Sequence, residues 1–218
     1  AVGQAAVGQT ANDNEQSPVA VLQLEKGFPK DLTTVFLAKT TGGKGHVFEI
    51  HAAGLAPQEI IAQRETASER TWFIASLRDP SLAGGTLKLA ATSREVDRVV
   101  SIEVQEGGLQ VLDAGRPVLF YASTPQSRKG KHTRNGFVHP LLGLDGEKLT
   151  QVFPDDHRHH HGVFWAWHQL WVGDQRAGDP WLTDDFLANM IEVRVIDQVP
   201  VFAALQSRLH WTSPKIVD

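Results

Sequence analysis

The sequence predicts an all-β protein, an antiparallel β-sandwich with a small β region ahead of it. Short apolar runs recur along the chain between Gly, Pro and Asp turn signals. The residues after Arg98 alternate in polarity with period two, the pattern of a half-buried strand. Three such runs then follow one another across tight turns, the spacing of a sandwich meander.

Residues 1–17 are small and polar with no periodicity and read as a disordered tail. Tails of this kind often follow a removed secretory signal, so the expected location is secreted or periplasmic. Residues 18–95 form the small N-terminal β region. Its strands are expected at 18–24, 33–38, 46–51, 71–76 and 85–90, with Gly42-Gly43, Asp79-Pro80 and Gly84-Gly85 as turns. Residues 57–64 read as a single helix. Residues 96–218 carry the sandwich. Val100, Ile102 and Val104 oppose Ser101, Glu103 and Gln105; Glu106-Gly107-Gly108 turns the chain into 109–113, and Ala114-Gly115-Arg116 turns it into 117–122. Residues 123–134, with Arg128, Lys129, Lys131 and Arg134, read as a basic loop, either solvated or a substrate clamp. Later strands are expected at 162–169, 190–196 and 201–211. The chain stops just after an apolar stretch, so a longer protein is expected.

Of 218 residues, 41% are hydrophobic and 21% charged, enough apolar material for a sizeable core. The net charge of -4 argues against nucleic acid as a partner. No apolar run reaches the ~18 residues of a membrane-spanning helix. With no cysteine, disulfides and thiolate sites are excluded, and a divalent transition metal would have to sit on imidazole and carboxylate.

Chemistry concentrates after Gly136. Of ten histidines, four stand between His157 and His161. If that run is extended, His157, His159 and His161 share one face and His160 takes the other. Imidazoles so spaced can chelate a metal, here His157 and His159 with His139, while Asp155 and Asp156 supply acceptors for the rings' other N–H groups. They suit acid/base catalysis equally, because imidazole titrates near working pH. The structural alternative is that they bond neighbouring carbonyls and stiffen a turn. Pro140 holds His139 extended, and Leu144-Asp145-Gly146-Glu147 supplies a hairpin turn that could carry His139 to the cluster. Trp165 and Trp167 share one face after Gly162; they read as core, or as a platform for sugar rings. The pairs Asp155-Asp156 and Asp184-Asp185 are further acid/base candidates.

The segments Gly136-Phe137-Val138-His139-Pro140-Leu141, Leu144-Asp145-Gly146-Glu147-Lys148-Leu149-Thr150, Phe153-Pro154-Asp155-Asp156-His157-Arg158-His159-His160-His161-Gly162 and Trp165-Ala166-Trp167 resemble a bacterial family known as methane oxygenase PmoA. The resemblance is close from about Leu112 to Trp181 and loose over the preceding meander. It departs at Asp155, where the family tends to have proline, and at His161, where it tends to have arginine. His161 is therefore the weakest candidate, and His139, His157, His159 and His160 the strongest. The resemblance implies an exported protein of polysaccharide-degrading bacteria, in a family that continues past the position of Asp218.

The leading expectation is thus an exported protein acting on a carbohydrate, of epimerase, lyase or hydrolase type. His139, Asp156, His157, His159 and His160 would be catalytic, and Arg134, Trp165 and Trp167 substrate-binding. The alternatives are a metal-dependent oxidase or oxygenase on His157 and His159 with His139, and a non-catalytic carbohydrate-binding module. An exposed flat strip of aromatic residues would favour the last.

Overall fold

The computed structural model describes residues 20–23, 33–39, 47–52, 56, 58–66, 70–76, 86–91, 96, 100–182 and 186–216. The expected tail and Asp184-Asp185 lie outside these residues. The described chain is all β and contains no helix. It divides into two units, one of Ala1–Val99 with Asp197–Phe202, the other of Val100–Ile196 with Ala203–Asp218.

In the first unit, six strands form one antiparallel sheet: β1 (Ala20–Gln23), β2 (Thr33–Lys39), β3 (Val47–Ala52), β4 (Gln58–Arg64), β5 (Arg70–Ser76) and β6 (Thr86–Ala91), in the order β1-β6-β3-β4-β5-β2. The helix expected over 57–64 is strand β4, paired with β3 on one side and β5 on the other. Seven residues are too few for a stable helix on their own, and the β-branched pair Ile60-Ile61 fits a pleated surface better. The segment Asp197–Phe202 joins this unit through polar contacts. The side chain of Gln63, 3% exposed, accepts the Val201 and Phe202 amides, both at 2.9 Å. Asp197 accepts from the Thr66 amide and hydroxyl.

The second unit is an antiparallel sandwich. The meander β7 (Val100–Gln105), β8 (Gly108–Asp113) and β9 (Arg116–Ala122) forms as expected. The turn between β8 and β9 holds Ala114 at φ 48° and Gly115 at φ 78°, the doubly left-handed geometry that matches strand twist. The expected apolar face of β7 extends only as far as Ile102, since Val104 is 82% exposed. Strands β12 (Phe137–Leu141) and β13 (Val163–Phe164) complete the sheet β13-β12-β9-β8-β7. The opposing layer is the hairpin β16 (Leu187–Asp197) and β17 (Ala204–Thr212). Between the layers, Ile102, Leu109 and Tyr121 pack against Met190, Val193, Ala203 and Leu205.

Tyr121 also ties the layers by a polar bond, its hydroxyl 2.6 Å from Ser207 Oγ. Removing that hydroxyl by Tyr121→Phe is expected to cost about 1 kcal/mol. In urea this appears as a lower unfolding midpoint with an unaltered slope.

The basic segment 123–134 is a hairpin, not a loop. Strand β10 (Gln126–Arg128) pairs with β11 (Lys131–Arg134), and Lys129 and Gly130 make its turn with φ 52° and 76°. A smaller hairpin, β14 (Leu170–Val172) with β15 (Gln175–Gly178), follows β13. The strand expected over 162–169 is therefore only Val163–Phe164.

Candidate functional site

The histidine run is not extended. The His160 amide donates to the His157 carbonyl at 2.9 Å, and the Phe153 amide to the His160 carbonyl at 3.0 Å, so the chain coils into a turn. Arg128 braces it. Its guanidinium donates to the Phe153 carbonyl at 2.8 Å and to Asp155 at 2.5 Å. That contact holds the Asp155 carboxyl below its ordinary range. Coiling sorts the side chains differently from a strand. His157, His159 and His160 gather, with ring centroids 4.8 Å apart for His157–His160 and His159–His160 and 6.1 Å for His157–His159. Asp156 Oδ2 lies 2.9 Å from His157 Nδ1.

His161 points the other way, into the protein, with no exposure. Its Nδ1 lies 2.6 Å from the His159 carbonyl and its Nε2 3.0 Å from that of His132. The rings of Phe137, Phe153 and Phe164 meet it edge-on. Burial pushes its pKa down, and this outweighs the two carbonyls, which favour the charged ring. Gly162 then carries the chain into β13 at φ 67°, where a Cβ would stand 2.2 Å from the Val138 carbonyl.

His139 does not join the cluster. Its Nδ1 meets the Thr150 hydroxyl at 3.0 Å, the same hydroxyl that accepts the Leu141 amide. Desolvation, aided by the positive charge of Lys148, lowers its pKa. The Asp145-Gly146 turn forms as expected, with Leu142 bridging Lys148, but it brings Thr150 to His139 and not His157 or His159. Among the described residues, no three His, Asp or Glu side chains are disposed to hold a metal ion, so His157, His159 and His139 do not form a ligand set here.

Arg134 is also placed differently from expectation. It is 6% exposed, and its terminal nitrogens donate to the carbonyls of Pro180, at 2.7 Å, and Trp165. Its guanidinium lies over Phe164 and Trp211, with 4.8 and 5.6 Å to the ring centroids, and burial lowers its pKa to about 10. The side chain is a brace that fixes where Trp165 and Pro180 leave the sheet. Beside it, Thr133, Pro180, Phe186, Ala188 and Trp211 line a crevice of about 10 Å³, room for one water.

The tryptophans are outside the core. Trp165 is 72% exposed and Trp167 52%, and their rings run nearly parallel, 6.0 Å apart with 28° between planes. Trp167 abuts Trp211 at 5.4 Å, and Trp211 abuts Phe186 at 6.0 Å, so the aromatic surface continues onto the hairpin of β16 and β17. On the other side, Trp181 contacts His159 and His160 at 5.9 and 5.6 Å.

A family model described as a family of unknown function, DUF6807, matches residues 108–216. The chain belongs to that family. No curated protein and no solved structure matches it. The DUF6807 span contains the histidine turn, the tryptophans and the segment that joins them.

That joining segment of the DUF6807 region was not legible as a site from sequence. Asp179 is 1% exposed; its Oδ1 accepts the Trp181 amide at 3.0 Å, and its Oδ2 lies 2.6 Å from His168 Nδ1. This second contact lacks hydrogen-bond alignment, and Oδ2 has no other partner. The charge of Asp179 also acts on His159, raising its pKa against a larger lowering by burial and the neighbouring imidazoles. His159 Nε2 is buried without a partner, as are Arg134 Nε and Asn135 Oδ1. The one sequence signal was Asp179-Pro180 itself, which reads as a turn.

Proposed function

We propose that this protein binds a carbohydrate on the surface formed by Trp165 and Trp167, with the imidazoles of the neighbouring turn as its polar fringe. The near-parallel, solvent-facing pair of indoles carries this reading. Burying an indole removes a large apolar area from water, so leaving four of six tryptophans more than 40% exposed forgoes stability. A contiguous exposed apolar patch of this kind marks a binding surface. Flat C–H faces of pyranose rings match a flat indole face, while the hydroxyl rims need donors and acceptors. His159 and His160 meet Trp181, and Trp181 meets Phe164, the residue before Trp165, so these imidazoles can supply them. The open shape favours binding along a sugar chain over enclosure of a small ligand. The resemblance of residues 136–167 to the PmoA family supports the same setting, an exported protein among polysaccharide-degrading functions.

The test is calorimetric titration with soluble α- and β-linked oligosaccharides, neutral and acidic, with tryptophan fluorescence as a second readout. Saturable heat together with a fluorescence change is expected for at least one. Absence of both across the panel would remove the reading.

A further inference from the structure

Resting on that carbohydrate reading, we propose that His168, held by the buried carboxylate of Asp179, is the proton-transfer base of the site, which makes the protein a sugar-modifying enzyme and not only a binding module. The pair combines opposite environments. The side chain of His168 is 73% exposed, while that of Asp179 is 1% exposed. Surface imidazoles seldom rest against buried carboxylates, because a buried charge is costly unless it is partnered. Here the carboxylate is fixed from behind by the Trp181 amide, and its other oxygen faces His168 Nδ1 and nothing else.

In the proposed state the exposed ring turns so that Nδ1–H points at Oδ2 across the 2.6 Å contact. The proton is then kept on Nδ1, and Nε2 is left unprotonated toward solvent, the arrangement that makes an imidazole a base. His168 directly follows Trp167, so its Cα stands about 3.8 Å from that of a platform residue.

The reaction class this fits is proton transfer between neighbouring carbons of an open-chain sugar, as in an aldose–ketose isomerase. A C–H bond next to the sugar carbonyl breaks. Its electron pair moves into the enediolate with negative charge on the former carbonyl oxygen, and the proton rests on His168 Nε2. It then returns from the same face to the former carbonyl carbon, while the proton of the adjacent hydroxyl passes to the new hydroxyl oxygen, so an aldose becomes its ketose with no net redox change and no co-reactant. One oriented base serves this step, whereas glycoside hydrolysis asks for two carboxylates across the scissile bond. Asp179 never touches the substrate; it is a positioning residue.

The experiment has two arms. In the first, long-range proton–nitrogen NMR of imidazole-labelled protein reads the tautomer of His168. One ring assigned by its loss in His168→Gln should be locked with hydrogen on Nδ1, and Asp179→Asn should release it. Asparagine keeps an oxygen for the Trp181 amide but puts an NH2 where Nδ1–H needs an acceptor. A freely averaging ring in the wild type would overturn the proposal while leaving the carbohydrate reading intact. In the second, xylose, galactose and galacturonic acid are incubated with protein in D2O and followed for exchange of carbon-bound protons or for ketose formation. Exchange is expected for at least one sugar, falling at least 100-fold in His168→Gln. In Asp179→Asn it should fall about 10- to 100-fold through kcat, with KM little moved. Oligosaccharide binding without exchange of any of the three sugars would overturn the proposal alone. Failure of binding as well would overturn both readings.

Discussion

Replacing His161 with alanine is expected to lower the unfolding free energy by about 4 kcal/mol, roughly 10 °C in melting temperature. The residue has no exposed surface and sits among three phenylalanine rings. Truncating a side chain of this size in a packed setting costs about 2–5 kcal/mol through lost contacts and the remaining void. Its removal also leaves one carbonyl without its donor. Those of His132 and His159 face the ring, the neutral imidazole donates its single N–H to one of them, and a buried acceptor left without a donor costs about 1–3 kcal/mol. His161→Phe separates the two effects, because it keeps the ring contacts and loses the hydrogen bond. It should fall between wild type and alanine.

The same residue contributes a pH dependence of known sign. Burial holds the folded pKa of His161 below its ordinary 6.5. Between those two values the unfolded chain binds a proton that the folded one does not, so stability declines as pH drops. The contribution is complete above pH 6.5 and is lost as pH falls toward the folded value. His139 and His159 are shifted in the same direction by burial. Urea midpoints measured between pH 7.5 and about pH 5 should therefore decrease in wild type, and less steeply in His161→Phe. A flat profile, or one that rises on acidification, contradicts this assignment of His161.

The class of fold was legible because period-two alternation and paired turn signals are local. The meander from Val100 to Ala122 needs nothing beyond neighbouring residues to declare itself. What escaped was non-local. Residues 57–64 carry a helix-compatible pattern, and only the flanking strands β3 and β5 decide the outcome. Lys129-Gly130 is a hairpin turn outside the Asn-Gly and Asp-Gly signals, so β10 and β11 read as loop.

The site divides in the same way. The histidine run stood out by composition, and the doubt over His161 rested on its place in a motif. Its orientation, however, follows from a turn that Arg128 stabilises from 25 residues away in the chain. Strand logic put His161 beside His157 and His159; the turn replaced it with His160. Asp179 had no local mark as a site residue. Its meaning comes from burial and from His168, and neither is visible without the fold.

Loss of sugar binding in Trp165→Ala with Trp167→Ala is the second large effect expected. Aromatic residues at the centre of a binding surface commonly cost about 2 kcal/mol or more on truncation, which is about 30-fold in affinity for each. The two indoles touch each other, so their contributions are coupled and the double variant should fall short of the product of the singles. A combined loss of about 100- to 1000-fold in calorimetric affinity is expected. Stability should barely move for Trp165→Ala, because 72% of that side chain's residue surface already faces solvent. Trp167→Ala should cost somewhat more, since its ring also packs against Trp211.

Trp171 supplies the control. It is as exposed as Trp167, at 53%, but lies in β14 and belongs to neither the stacked pair nor the histidine turn. Trp171→Ala should retain affinity within about threefold, well under the 1.4 kcal/mol that corresponds to tenfold. If it weakens binding as much as Trp165→Ala does, general exposure of tryptophan is responsible and the paired platform is misassigned. If only the pair matters, geometry and not composition selects the ligand: the stacked indoles together present a larger aromatic surface than a single indole in a hairpin.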